Sequence, residues 1–237
     1  MRKMTRGTIR VAYGSAAAVA MALVIPLGLG AQAQDEDKKI AGGGITVSGW
    51  QGKVDDRAAK QGMTTKDSKF ASEGSGLRIT TGPATTYWNP ANTGKGDFTV
   101  KATFKEAKQT YNHPHPFGVF IGGSKLDSDQ PNLLYCVAYR DGTFTVRQFA
   151  GGQPSQLVRK TPHAAVQKAE SPDAAVTQDV ALTVKGDSIE CSINGQVVTT
   201  LKKADIVGPG KLESTDGIVG IRTSHNSDVV VTGFGVK

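Results

Sequence analysis

An antiparallel all-β fold, built as a sandwich of two sheets, is the fold class that this sequence of 237 residues predicts. Short runs in which apolar side chains alternate with polar ones are typical of half-buried strands. Dipeptides that favour hairpin turns, such as Asn194-Gly195, separate these runs. No internal repeat of about 20 to 50 residues is visible, which argues against a propeller or a solenoid. Two packed sheets with short hairpins are therefore the economical architecture.

The strand pattern begins near residue 45 and continues to the end of the chain. The segment 51–68 is polar and is expected to have little regular structure. The segment 151–178 is also irregular, and within it residues 163–169 fit either a short helix or a mobile loop. Predicted strands follow in chain order at 45–50, 77–81, 85–88, 98–104, 117–121, 133–140, 143–149, 180–184, 189–193, 196–200, 218–223 and 229–236.

Residues 1–33 have the features of a secretory signal peptide. A basic start that includes Arg2 and Arg10 precedes an Ala-rich apolar run, which ends at the small-residue site Ala31-Gln32-Ala33. Pro26 and nearby glycines interrupt the run, which is shorter than the roughly 20 residues that cross a bilayer. We therefore predict cleavage after Ala33, a secreted or periplasmic location, and no stable membrane span afterwards. An uncleaved anchor is the alternative.

Charge and composition exclude several classes of function. The first 33 residues hold four of the 28 basic residues and none of the 21 acidic ones, so residues 34–237 carry a net charge of only +3. The basic residues are scattered, which does not fit a nucleic-acid partner. Neither a nucleotide-binding glycine motif nor a Gly-x-Ser-x-Gly nucleophile elbow follows a predicted strand.

One domain accounts for the remaining length. Residues 34–46 are charged and then glycine-rich, so they are expected to form a flexible leader, and residues 47–237 are expected to form the sandwich. Cys136 and Cys191, the only cysteines, both lie in predicted strands. An oxidising compartment favours a disulfide between them, but two buried free thiols fit equally well.

The order of several segments resembles the concanavalin A-like lectin and glucanase jelly roll over residues 47–237. The segments are GPATTYW, GDFTVKATF, HPHPFGVFIGG, YRDGTFTV, ALTVKGDSIECSINGQVV and TDGIVGIRTSHNSDVVVTGFGV. The resemblance extends to laminin-G-like domains, family 16 glycoside hydrolases and 3-keto-disaccharide hydrolase-type domains, all secreted bacterial types. It implies a curved sheet whose concave face holds a saccharide against aromatic rings.

Catalysis is not implied by the resemblance. Family 16 glucanases carry the strand motif E-x-D-x-x-E, which places two carboxylates beside the scissile bond. That motif is absent here, and the glutamates are isolated from one another. The Asn-Ser-Gly-Ile and Arg-Asn-Ile patterns of the 3-keto-disaccharide hydrolase type are absent as well, so that similarity concerns the fold alone.

The segment His113-Pro114-His115-Pro116 is the sharpest candidate for a binding site. X-Pro dipeptides hold the backbone extended, so the two imidazoles can point the same way and bind a metal or a sugar. A rigid loop with packed or solvated imidazoles is the alternative. A metal needs further ligands, which His225 and Asp228 could supply.

Aromatic and basic residues form a second set of candidates for ligand binding. Trp88 stands near a loop and offers either a stacking surface or a ring that closes the core. Tyr139, Arg140 and Arg147 surround a predicted hairpin turn, where they either line the concave face or serve as ordinary cross-strand partners.

The type of metal is left open by the sequence. Several laminin-G-like domains bind calcium, and Asp127, Asp129 and Asp216 lie in predicted loops, although no EF-hand spacing is present. No other cofactor is expected.

The sequence thus predicts a secreted or periplasmic carbohydrate-binding module without catalytic activity. A glycoside hydrolase or lyase is the first alternative. The second is a structural envelope protein whose concave face is filled by the segment 151–178.

Overall fold

Two sheets packed face to face form the protein in a computed structural model that describes residues 36–237. The predicted signal peptide lies outside these residues. Glu36–Lys237 is a compact unit, and none of the helices within it is long and apolar enough to cross a bilayer. The predicted all-β sandwich is confirmed.

The larger sheet has eight strands, and all neighbouring pairs are antiparallel except the first, which is parallel. In spatial order it contains β1 (Gly44–Ile45), β3 (Lys69–Glu73), β4 (Gly76–Thr80), β15 (Asp228–Val236), β6 (Phe98–Glu106), β11 (Val176–Lys185), β12 (Ser188–Ile193) and β13 (Gln196–Lys202).

The smaller sheet has seven strands, and all of its neighbouring pairs are antiparallel. In spatial order it contains β10 (Ser155–Pro162), β9 (Thr143–Ala150), β8 (Asn132–Ala138), β7 (Phe117–Ser124), β14 (Gly217–Thr223), β5 (Thr85–Gly94) and β2 (Gln51–Val54). Helical turns are short: α1 (Asp56–Lys60), a 3₁₀ turn (Thr65–Asp67) and α2 (Lys203–Ile206).

The main core lies between the sheets and follows the predicted alternation. In β6, every second residue from Phe98 to Phe104 is buried there, because successive side chains of a strand point to opposite faces. A second, smaller apolar cluster lies on the outer face of the seven-stranded sheet. Its members are Trp88, Phe120, Leu126, Leu133, Tyr135, Val137 and Phe149.

The predicted two-residue primed turn is present at one hairpin and absent at another. Asn194 and Gly195 have φ angles of 50° and 80°, as a type I′ turn requires. At Asp141-Gly142 only the glycine has a positive φ, and four residues separate β8 from β9. The predicted two-residue primed turn is therefore replaced by a longer connection.

The segment 151–178 is more regular than predicted, and its residues 163–169 do not form the short helix that was one of the two alternatives. Its first part is the edge strand β10, which pairs with β9. Farther along, Val166 is buried in the main core. This side chain packs between the two sheets, which does not support the idea that the segment fills an outer sheet face. The segment 51–68 is likewise more regular than expected, with β2 and α1.

The expected flexible leader differs from the structure over residues 36–46. The amide of Ile40 donates to the carbonyl of Asp67, and the amide of Gly44 donates to Ser68. Residues 44 and 45 then pair with β3. Glycine richness predicted flexibility here, but these backbone groups have hydrogen-bond partners on the sandwich.

Cys136 and Cys191 form a disulfide, with Cα atoms 6.2 Å apart. Cys136 lies in β8 and Cys191 in β12, so the bond joins the two sheets through the main core. Of the two alternatives that the sequence left open, the structure contains the bridge.

Candidate functional site

Three of the four histidines meet at one end of the sandwich. The side chains of His113, His115 and His225 each offer a nitrogen, and these three atoms lie within 4.8 Å of one another. Nε2 of His113 is 3.0 Å from Nε2 of His115, and the rings of His115 and His225 stack with centroids 4.2 Å apart. We call these three residues the histidine cluster.

Local sequence explains how two of these imidazoles meet. Pro114 and Pro116 keep the preceding residues extended, and residues two apart on an extended chain point to the same side. His225 comes from the turn between β14 and β15. The amide of Ser224 donates to the carbonyl of Pro116 over 2.9 Å, which holds that turn against the His-Pro segment.

Polar and aromatic neighbours orient the cluster. Oδ1 of Asp37 lies 2.8 Å from Nδ1 of His225, and the Asp37 side chain is only 5% exposed. The side-chain oxygen of Asn112 is 2.6 Å from Nδ1 of His113. Tyr111 stacks on His115 with centroids 5.6 Å apart. His115 is buried, whereas His113 is exposed at the rim.

A separate cleft opens on the outer face of the seven-stranded sheet. It has a volume of about 310 Å³, and its main polar lining consists of Tyr135, Tyr139, Thr145, Arg147, Arg222 and Ser224. Tyr135 and Arg147 are cross-strand partners on β8 and β9. Two guanidinium groups and two phenol rings thus share one cleft, and its lining contains no carboxylate.

Arg147 is the least satisfied of these groups. Its Nε is buried and has no hydrogen-bond partner among residues 36–237, and its Nη2 is 3.5 Å from the carbonyl of Pro154. Burial raises the pKa of Tyr139 to about 12, although the positive charge of Arg147 acts in the opposite direction. Tyr139 is therefore a neutral phenol at ordinary pH.

Arg222 is fixed by an acidic partner. It binds both carboxylate oxygens of Asp55, with distances of 2.7 and 2.5 Å, and donates to the hydroxyl of Thr86. Its guanidinium carbon is 5.5 Å from the centroid of the Tyr135 ring. Burial acts to lower the pKa of Arg222, but Asp55 outweighs it, so the pKa is raised and the group stays charged. The Asp55 pair neutralises Arg222, which leaves Arg147 as the cation of the cleft.

Trp88 does not provide an exposed stacking surface. It is 3% exposed and belongs to the second apolar cluster, beside Phe120 and Tyr135. Its cross-strand partner on β14 is Gly220, which has no side chain. Of the two predicted roles, the structure places the ring in a core.

Arg140 also differs from the prediction that it lines a ligand site. Its side chain is 2% exposed and donates to Glu106 over 2.9 Å. The same guanidinium donates to three backbone carbonyls, those of Ser171, Pro172 and Ala174. Arg140 follows Tyr139 directly, so it points away from the outer face and into the molecule.

The acidic candidates for metal binding do not converge. Asp228 binds Arg78 and Thr80 instead of joining the histidines. Oδ1 of Asp216 accepts a hydrogen bond from the amide of Gly96. Within residues 36–237, the only group of three or more His, Cys, Asp or Glu side chains placed to hold an ion is the histidine cluster. Asp127, Asp129 and Asp216 therefore do not form the oxygen-rich set that calcium prefers.

The eight-stranded sheet carries a larger groove on its outer face, with a volume of about 920 Å³. Small residues such as Ala181 and Gly233 form its floor, and Lys101 and Asp179 lie along it. No aromatic ring lines this groove, which makes it a poorer match to a sugar than the cleft beside Tyr139.

Several residues of both sites were not found from the sequence. Arg222 was detectable in principle, because it alternates with the buried Val219 and Ile221 in β14 and must face outward. Asp55 and Asp37 gave no usable signal. Both reach their partners across more than 160 residues of chain, and no short-range pattern contains that information.

No family model and no curated protein sequence matches the chain. Solved structures do resemble it. The carbohydrate-binding module CBM66 from Bacillus subtilis superposes with a TM-score of 0.56 at 11% identity, over 82% of this chain and 98% of that one. A Bacillus subtilis protein of unknown function with a galectin-like fold gives a TM-score of 0.55 at 14% identity, over 79% and 88% of the two chains. The chain therefore has the concanavalin A-like sandwich fold that its sequence resembles.

Proposed function

We propose that this chain is a secreted or periplasmic, non-catalytic carbohydrate-binding module, and that it binds an acidic saccharide in the cleft beside Tyr139 and Arg147. The observation that carries the proposal is the unpartnered, buried Nε of Arg147 in that cleft. A buried donor without a partner costs roughly 1–3 kcal/mol, and a ligand that accepts its hydrogen bond removes the cost.

The chemistry of the lining favours a sugar that bears an acidic group. A guanidinium pairs with a carboxylate or sulfate through charge-assisted hydrogen bonds. Tyr139 adds a neutral hydroxyl and an aromatic ring, over which Nζ of Lys160 lies 4.3 Å from the centroid, and Thr145 and Ser224 lie in the same cleft. The resemblance to a structure described as a carbohydrate-binding module supports the same assignment.

Binding is favoured over hydrolysis for a specific reason. Hydrolysis by the common glycosidase mechanisms requires two carboxyl groups beside the bond that breaks. The lining of the cleft contains none, and the nearby Asp55 is held by Arg222.

The first test measures affinity for neutral and acidic polysaccharides by affinity electrophoresis and calorimetry. Arg147→Ala should weaken binding of a uronate or sulfated polymer by roughly 10- to 100-fold, which corresponds to the loss of a hydrogen bond to a charged group. Tyr139→Phe should retain most of the affinity and Tyr139→Ala should lose it, because the ring rather than the hydroxyl is expected to make the main contact. Lys101→Ala, an exposed cation on the opposite sheet, is the matched control and should bind like the wild type.

Other outcomes would overturn the proposal. If no polysaccharide binds, or if Lys101→Ala weakens binding as much as Arg147→Ala, the cleft is not the site. Release of new chain ends from the polymer would instead identify the chain as a glycoside hydrolase or lyase. Fractionation and N-terminal sequencing test the location, with Gln34 as the expected first residue outside the cytoplasm.

A further inference from the structure

We propose that the histidine cluster is a binding site for a borderline transition metal, with Zn²⁺ as the reference ion, and that the bound ion fastens the segment at Asp37 to the end of the sandwich. Imidazole nitrogens suit zinc, copper, nickel and iron, whereas calcium and magnesium prefer oxygen ligands. This inference is independent of the saccharide cleft.

The spacing of the imidazole nitrogens in the histidine cluster supports binding of one ion by three protein ligands. Imidazoles bound to zinc have Zn–N distances of about 2.0–2.1 Å, which places two ligands of a tetrahedral ion about 3.4 Å apart. Nε2 of His113 and Nε2 of His115 are already 3.0 Å apart, and the third nitrogen lies within 4.8 Å of both. To reach this spacing the His225 ring, which stacks on His115, has to shift toward the other two nitrogens, and solvent takes the fourth position.

The neighbours of the cluster supply a second support. Histidines that bind metals usually donate their other ring nitrogen to a carboxylate or carbonyl oxygen, which fixes the tautomer. The side-chain oxygen of Asn112 occupies that place at Nδ1 of His113, and Oδ1 of Asp37 lies 2.8 Å from Nδ1 of His225. In the His113 ring this arrangement leaves Nε2 as the nitrogen that faces His115, 3.0 Å from Nε2 of that ring.

The positions of the ligands define what the ion would do. His113 and His115 belong to the segment that leads into β7, and His225 belongs to the turn between β14 and β15. Asp37 lies in the first part of the described chain, where the amide of Lys38 also donates to Asn226. One ion would therefore connect three segments that are distant in sequence. Because such an ion binds the folded state alone, it stabilises that state.

The decisive experiment titrates Zn²⁺ into the purified full chain without a histidine tag, in competition with a chelator of known affinity. The wild type should bind one zinc per chain and melt at a higher temperature with zinc than with chelator. His113→Ala and His225→Ala should each weaken zinc binding by about 100-fold or more, and Asp37→Asn by about 10-fold.

His163→Ala is the matched control, because His163 is the only histidine outside the cluster and its Nδ1 accepts from the amide of Ala165. This variant should bind zinc like the wild type, and calcium should not raise the melting temperature.

His113 is exposed, so His113→Ala should melt like the metal-free wild type, which separates ligand loss from misfolding. Cu²⁺ bound at the site should show nitrogen hyperfine coupling in its electron paramagnetic resonance spectrum. Absence of stoichiometric zinc, or equal loss in His163→Ala, would overturn the proposal. Saccharide affinity that is unchanged in His113→Ala would keep the two sites distinct.

Discussion

Arg140 donates a 2.9 Å hydrogen bond from Nη1 to Oε2 of Glu106, and the side chains of both residues are only 2% exposed. Glu106 ends β6 in one sheet, and Arg140 follows β8 in the other. The ion pair therefore connects the two sheets at one end of the sandwich. The same guanidinium holds the segment 171–174 through three carbonyls.

Removal of this buried cation should be costly. Arg140→Ala is expected to reduce the free energy of unfolding by about 3–5 kcal/mol, because Glu106 and three carbonyls lose their partner. Urea unfolding at neutral pH measures the change. Lys125→Ala is the control, since it breaks an exposed pair with Glu213 and should cost about 0–1 kcal/mol. Equal effects of the two variants would contradict a structural role for Arg140.

The same pair predicts a pH dependence of stability. Burial raises the pKa of Glu106 from 4.5 to about 7, although Arg140 opposes the shift. Between these values the folded state holds a proton that the unfolded state has lost, so the contribution of Glu106 to stability decreases as pH rises from about 4.5 to 7. The decrease should reach up to about 3 kcal/mol. The free energy of urea unfolding should fall more steeply across this pH range in the wild type than in Glu106→Gln. Parallel plots of that free energy against pH for the two proteins would refute the prediction.

The disulfide should contribute to stability by restricting the unfolded chain. Cys136 and Cys191 are 55 residues apart, and closing a loop of that length corresponds to about 4 kcal/mol in the chain-entropy description. The double variant Cys136→Ala/Cys191→Ala should lose stability of this order in urea unfolding. Wild type treated with a reductant in the unfolded state should approach the same value. Two free thiols in the unreduced, unfolded protein would show that the bridge is absent.

Close packing at Gly220 predicts that adding a side chain there lowers the stability of the protein. A Cβ atom there would lie 2.2 Å from the carbonyl oxygen of Tyr87 and 2.5 Å from the Phe120 ring. Gly220→Ala should therefore destabilise the protein by about 2 kcal/mol or more through overpacking. Gly235→Ala is the matched control, since Gly235 also lies in a strand but has no atom within 4 Å of the added Cβ. Thermal unfolding compares them, and similar melting temperatures would contradict this packing.

How far the sequence predicts the fold is clearest at its hairpins. From Val180 to Ile193 the alternation of apolar and polar residues assigned each side chain to the core or to the outside, and the structure agrees. Such patterns succeed because a strand has a fixed period of two and a type I′ turn accepts few dipeptides. The edge strand β10 was missed because its residues are mostly exposed and show little alternation.

The residues of the candidate sites were likewise predictable from the sequence only where short-range patterns placed them. The Pro residues around His113 and His115 were sufficient to place those two imidazoles on one side of an extended segment. Their meeting with His225 depends on a turn that lies 110 residues farther along the chain. The roles of Trp88 and Arg140 were open in the sequence, because burial depends on which partners the opposite face or sheet supplies.

By itself, the sequence determined an antiparallel two-sheet sandwich and the face on which most strand residues lie, since these properties follow from short-range periodicity. Only the tertiary structure decided which polar groups share a site. It joined Cys136 to Cys191, placed Asp37 against His225, and isolated Arg147 in a cleft whose other guanidinium is neutralised by Asp55. These pairings depend on distances between residues far apart in the chain, and such distances exist only after the sheets have packed.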